Sequence, residues 1–105
     1  MQTIPTASTL RQTLDQLAGT VAFVPTMGAL HAGHTALIDA ARASHDHVVS
    51  SIFVNPTQFN EAADLDTYPR TPEADAALLD RHGCNFLYLP TVADVYPQGV
   101  DQNPT

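Results

Sequence analysis

Leu10, Leu14 and Leu17 recur at spacings of four and three just after the hydroxyls of Ser8 and Thr9. This pattern predicts a first helix with one apolar face, a capping side chain at its start and Gly19 at its stop. The continuous apolar run at residues 21–24, closed by Pro25, predicts a short strand buried on both faces of a parallel sheet, with residues 25–28 as a turn at its carboxyl end. A second helix is expected from about Gly33 to about Ser44, with Leu37, Ile38 and Ala41 turned inward. Residues 48–54, VVSSIFV, form the clearest strand signal in the chain. Residues 55–71 combine prolines and acids without periodicity, so they are expected to form a long loop, and loops of that length in compact domains are usually functional. Thr71, Pro72, Glu73 and Asp75 then open a third helix, with proline at its first position and acids in its first turn, which runs through Leu78 and Leu79 to Gly83. Residues 85–89 predict a third strand and residues 92–95 a short helix, after which Pro97, Gly99 and Pro104 follow no pattern and the chain reads as cut short.

Alternation of helices and strands implies βαβ crossovers and an α/β fold with a parallel sheet flanked by helices. Such sheets bind ligands beyond the carboxyl ends of their strands. Residues 25–34 and 55–68 both follow strand ends, so the two segments are expected to face one another across one crevice. There is no internal repeat and no linker before residue 97.

A chain of 105 residues, 44% of them apolar, suits one compact domain and cannot hold two full catalytic domains. Its 11 acidic residues face four arginines and no lysine, a formal charge of -7. A field of that sign repels nucleic acid, and a nucleotide site would need local donors and a metal ion instead of a basic surface. Cys84 is the single cysteine, which excludes an intrachain disulfide or a cysteine zinc cluster and suits a reducing compartment. The first residues lack the basic and apolar regions of a secretory leader, and no apolar run approaches the roughly 20 residues of a membrane span, so a soluble cytoplasmic protein is expected.

The chemistry concentrates at His31, Ala32, Gly33 and His34, where a strand-end loop becomes a helix. Glycine lets the backbone approach a ligand closely, the N–H groups of a first helical turn point at an anion, and two imidazoles three residues apart can donate to phosphate oxygens as charge builds on them. The spacing alone also fits surface histidines near a helix start, or two ligands of a metal site lacking a convincing third. The acids from Glu61 to Asp66 are expected to be a solvated loop and not a metal site. Phe53, Phe59 and Cys84 suit core positions, while His45, His47 and His82 suit the surface or helix ends.

Three segments, VPTMGALHAGH at residues 24–34, SIFVNPTQF at 51–59 and DTYPRT at 66–71, resemble in order and spacing the N-terminal motifs of the pantothenate synthetase (pantoate-beta-alanine ligase) family. With the Tyr96 and Pro97 element, the resemblance covers roughly residues 20 to 99. It implies a Rossmann-like nucleotidyltransferase domain of the HIGH type, here truncated, with residues 1–105 as a partial nucleotide-binding domain and the C-terminal lid domain absent. It also implies an enzyme that uses ATP with Mg2+ to condense pantoate with beta-alanine through a pantoyl adenylate. Met27, Gly28, Ala29, Leu30, His31, Ala32, Gly33 and His34 would then form the ATP-binding loop, with His34 and His31 catalytic, and Gln58, Asn55 and Tyr68 would bind pantoate or beta-alanine. Asparagine before proline also starts turns, which gives Asn55 a purely structural alternative. Tyr68 suits packing as well as substrate closure, and Arg70 suits anchoring its loop against an acid. The family's later lysine motif has no counterpart here, so a fragment with little activity alone is expected. The alternatives are an isolated nucleotide-binding or self-associating module, with a truncated sheet leaving apolar surface uncovered, or another HxGH nucleotidyltransferase, such as a pantetheine-phosphate adenylyltransferase.

Overall fold

The computed structural model describes residues 1–58, 68 and 70–97. Its elements are β1 (Gln2–Ile4), α1 (Ala7–Asp15), β2 (Val21–Thr26), α2 (Ala32–Ser44), β3 (His47–Ile52), a 3-10 turn (Pro56–Gln58), α3 (Pro72–Arg81), β4 (Phe86–Tyr88) and α4 (Val92–Val95). The acids at 61–66, Phe59 and the tail from residue 98 lie outside the described residues.

Among the described residues four strands form one parallel sheet in the order β1-β4-β3-β2, one strand more than the periodicity predicts. The added strand is β1, in register with β4 from Gln2 opposite Phe86 to Ile4 opposite Tyr88. Only Ile4 of its three residues is buried, so no alternation marks it, and it exists as a strand because β4 supplies the partner. β3 lies inside the sheet and is buried from Val48 to Ser51, as suits a strand covered on both faces. Ser50, within that strand, keeps its hydroxyl satisfied by donating to the Val24 carbonyl at 2.9 Å.

Three expectations are corrected. β2 is an edge strand and not one buried on both faces, since Phe23 is 51% exposed. The edge also explains why the strand continues through Pro25, whose missing N–H breaks no ladder there. α1 starts from a cap at Thr6, whose side chain accepts from Thr9 N–H at 3.2 Å, and ends at Asp15, before Leu17. In α2, Leu37 points outward at 57% exposure, and the inward positions are Thr35, Ile38 and Ala41.

α2 lies against β2, β3 and α3, and the core forms between these helices and one face of the sheet. Its centre is Ile38, Val48, Leu79, Cys84 and Leu87, with Val24 and Leu30 among the partly buried residues packed around it. Burial pushes the Cys84 thiol pKa up, as suits a small core residue. His45 and His82 stand at the carboxyl ends of α2 and α3, and His47 opens β3. No helix among the described residues is long and apolar enough to cross a membrane.

Candidate active site at the carboxyl ends of the strands

β2 and β3 run parallel with Thr26 opposite Ile52, so the segments that follow them emerge side by side, as the topology predicts. Between them opens a cleft of about 700 Å³. Its lining includes Met27, Gly28, Ala29, His31, His34, Asn55 and Tyr68, which brings together seven of the residues singled out by sequence. Leu30 instead packs against the core, while Ala32 and Gly33 form the first turn of α2. Gln58 ends the 3-10 turn, and its side chain lies outside the described residues. Phe53, a core position by sequence, lines this cleft and also a neighbouring cavity of about 340 Å³ that shares Met27 and Gly28.

The two histidines are built into the helix start. Gly33 N–H donates to Nδ1 of His31 at 3.1 Å, and His31 N–H donates to Nδ1 of His34 at 3.2 Å, a reciprocal capping box made of imidazoles. A neutral imidazole whose Nδ1 accepts carries its proton on Nε2, so the caps select the tautomer of both rings and leave an Nε2–H donor on each. The ring centroids are 4.2 Å apart. Burial lowers the His34 pKa, the neighbouring His31 lowers it further, and Asp75 opposes both, so the neutral ring is favoured.

The turn before α2 is left-handed at two successive residues, Gly28 (φ 83°) and Ala29 (φ 51°). For alanine this conformation costs about 1–2 kcal/mol. What holds it is Asp75 of α3, only 3% exposed, whose Oδ2 accepts from Ala29 N–H at 3.0 Å and whose Oδ1 accepts from Leu30 N–H at 2.9 Å. Hydrogen bonds to a charged group contribute about 1.5–3 kcal/mol each, enough to offset the strain. Thr71 adds its hydroxyl to Oδ1 at 3.2 Å. By sequence Asp75 is only a first-turn acid. The available signal was its position four residues before Leu79, which places a carboxylate on the buried face of α3.

These bonds change what the helix start can offer an anion. Gly28 N–H donates to the Thr26 hydroxyl, Ala29 and Leu30 to Asp75, His31 and Gly33 to the imidazoles, and His34 and Thr35 to the His31 carbonyl. Seven N–H groups of the expected row of backbone donors are thus engaged within the protein, and donor capacity toward a ligand shifts largely to the two Nε2–H groups.

Across the cleft, Asn55 performs the turn role its sequence allows: its Oδ1 accepts from Thr57 N–H at 3.0 Å and from the Thr57 hydroxyl at 2.8 Å. Tyr96, just after α4, donates its hydroxyl to the same oxygen at 2.9 Å. The carbonyl half of the amide is therefore occupied, and its NH2 is the half suited to a ligand acceptor. Arg70 Nη1 donates to the Tyr68 carbonyl at 2.9 Å, a local bond within that motif. Among the described residues no three His, Cys, Asp or Glu side chains converge as a metal site would require.

The profile of the Pantoate-beta-alanine ligase family matches residues 2–105. The pantothenate synthetase of Novosphingobium aromaticivorans is 53% identical over 98% of this chain and 37% of its own length. That of Rhizorhabdus wittichii is 54% identical over 94% and 36%. A solved pantoate-beta-alanine ligase of Francisella tularensis, complexed with beta-gamma ATP and beta-alanine, superposes with a TM-score of 0.90 at 40% identity, covering 94% of this chain and 39% of that one. The pantothenate synthetase of Thermus thermophilus superposes with a TM-score of 0.83 at 46% identity, covering 94% and 35%. The chain thus spans little more than a third of the length of these relatives. Similarity along nearly all of its length, together with the same fold, places this chain in the pantoate-beta-alanine ligase family.

Proposed function

We propose that the chain is the partial, N-terminal nucleotide-binding domain of an ATP-dependent ligase that condenses pantoate with beta-alanine. In this reaction a pantoate carboxylate oxygen attacks the α-phosphorus of ATP and pyrophosphate leaves. The amine of beta-alanine then attacks the acyl carbon of the adenylate, forming the amide and releasing AMP. The observation that carries the proposal is the imidazole capping box, whose two rings accept at Nδ1 and line the cleft beyond β2 and β3, leaving Nε2–H as the donor on each. Such N–H donors can hold phosphate oxygens and strengthen as charge moves onto departing pyrophosphate, without a prior proton transfer. His34 and His31 are accordingly electrostatic stabilisers, and Met27, Gly28 and Ala29 form the wall on which the nucleotide rests. Asn55, Gln58 and Tyr68 serve pantoate and beta-alanine, with the Asn55 NH2 as a donor to a carboxylate. Mg2+ enters as part of the ATP complex, carried on the phosphates.

With no lysine in the chain, a mobile ammonium for the phosphates must come from outside these 105 residues, so the chain alone is proposed to bind nucleotide but to turn over little. Titration calorimetry with MgATP tests this: saturable binding is expected, and His34→Ala should weaken it by about tenfold or more. Equal affinity in parent and variant would sink the assignment of His34.

A further inference from the structure

We infer that Asp75 is a positioning residue for the nucleotide loop, its buried carboxylate clamping the Ala29 and Leu30 N–H groups so that the left-handed turn delivers His31 and His34 into the cleft. The inference builds on the nucleotide reading of that cleft. An acid in the first turn of a surface helix ordinarily faces solvent, as Glu73 does, whereas Asp75 is turned inward at 3% exposure. Its two oxygens are used separately, Oδ2 on Ala29 and Oδ1 on Leu30, so the carboxylate spans two successive N–H groups the way an anion fills a backbone nest. The Thr71 hydroxyl on Oδ1 fixes the rotamer from its own helix. Leu30, the last residue before the histidine cap, is thereby held twice, by its side chain in the core and by its N–H on Asp75.

Two consequences follow for the ligand. The nest is filled from inside the protein, so an entering phosphate meets imidazole donors and not the Ala29 and Leu30 amides. The orientation of the His31 and His34 rings also depends on a side chain of α3, which contributes no described wall to the 700 Å³ cleft. A Cβ at Gly28 would stand 3.2 Å from Asp75 Oδ2, a tight contact, and its φ of 83° is one that glycine adopts without strain, so glycine suits this close approach of the loop to α3.

The test is Asp75→Asn, which keeps the shape but turns an NH2 donor toward one of the two N–H groups. It is read by MgATP calorimetry and, without ligand, by 15N shifts of the Ala29 and Leu30 amides and of the His31 and His34 ring nitrogens. Affinity is expected to fall about 10- to 100-fold, with the Nδ1 signals losing their acceptor character. Adding Ala29→Gly should recover part of both, because glycine adopts the left-handed turn unaided, whereas Glu73→Gln should change neither. Parent-like affinity and ring shifts in Asp75→Asn would overturn the inference, as would a full loss that Ala29→Gly leaves untouched. If the parent binds no MgATP but the ring shifts respond as described, the nucleotide reading fails and the positioning role stands. Should Asp75→Asn not fold, Asp75→Glu carries the same comparison: it retains the charge but displaces the carboxylate, and parent-like ring shifts in it would refute the role.

Discussion

Gly33→Ala separates the stability of the α2 start from its function. A Cβ at position 33 would stand 2.9 Å from Cε1 and 3.1 Å from Nδ1 of His31, closer than carbon and nitrogen tolerate, so the ring must swing away. Swinging it away breaks the Gly33 N–H bond to Nδ1, and losing an N-cap costs about 1 kcal/mol. Against this, alanine is favoured over glycine within a helix by up to about 1 kcal/mol, and residue 33 already has helical geometry. The two effects nearly cancel, and since 1 kcal/mol corresponds to roughly 4–8 °C in Tm for a domain of this size, the melting temperature should move by less than that. Binding has no such compensation. If His31 holds a phosphate oxygen as proposed, displacing its ring removes one hydrogen bond to a charged group, about 1.5–3 kcal/mol, or roughly 10- to 100-fold in Kd. Thermal melts by circular dichroism and MgATP titration of the same sample supply both numbers. An unchanged Kd would refute the claim that Gly33 is required to seat the His31 ring, and a fall in Tm well beyond 8 °C would show that the cap, and not the propensity, dominates the helix start.

His34 should make the fold acid-sensitive. Because burial and His31 depress its folded pKa below the usual value of 6.5, the unfolded chain takes up this proton first; the ring's contribution is complete above about pH 6.5 and is lost as pH falls toward the depressed value. Melts from about pH 8 to 5.5 should therefore show a steeper loss in the parent than in His34→Gln, and parallel curves would contradict this. In urea unfolding, Ile38→Ala should cost about 2–5 kcal/mol because Ile38 is fully buried. Leu37→Ala, one residue away, should stay within about 0.5 kcal/mol; comparable losses at both sites would mean that α2 is rotated from the orientation described.

What the sequence determined by itself is the set of features encoded within a few residues. The Val- and Ile-rich run of β3, proline at the first position of α3 and the histidine-glycine start of α2 all have local physical causes, and each element formed within a residue or two of where its pattern predicts, β3 ending at Ile52 instead of Val54. The shared cleft also followed, because parallel strands place the loops after them on one end of the sheet. Tertiary structure decided the features that depend on partners distant in the chain. β1 is a strand only because β4 stands beside it, β2 is an edge strand among the described residues with Val21 and Phe23 exposed on one face, and Leu37 lost the inward face of α2 to Thr35, Ile38 and Ala41. The same holds for the site: Asp75 reaches Ala29 from 46 residues further on, and the tautomers of His31 and His34 follow from which ring nitrogen the folded backbone engages. Periodicity records which face of an element is apolar, but it does not record which polar group another element will bring to meet it, and that meeting sets the chemistry of this cleft.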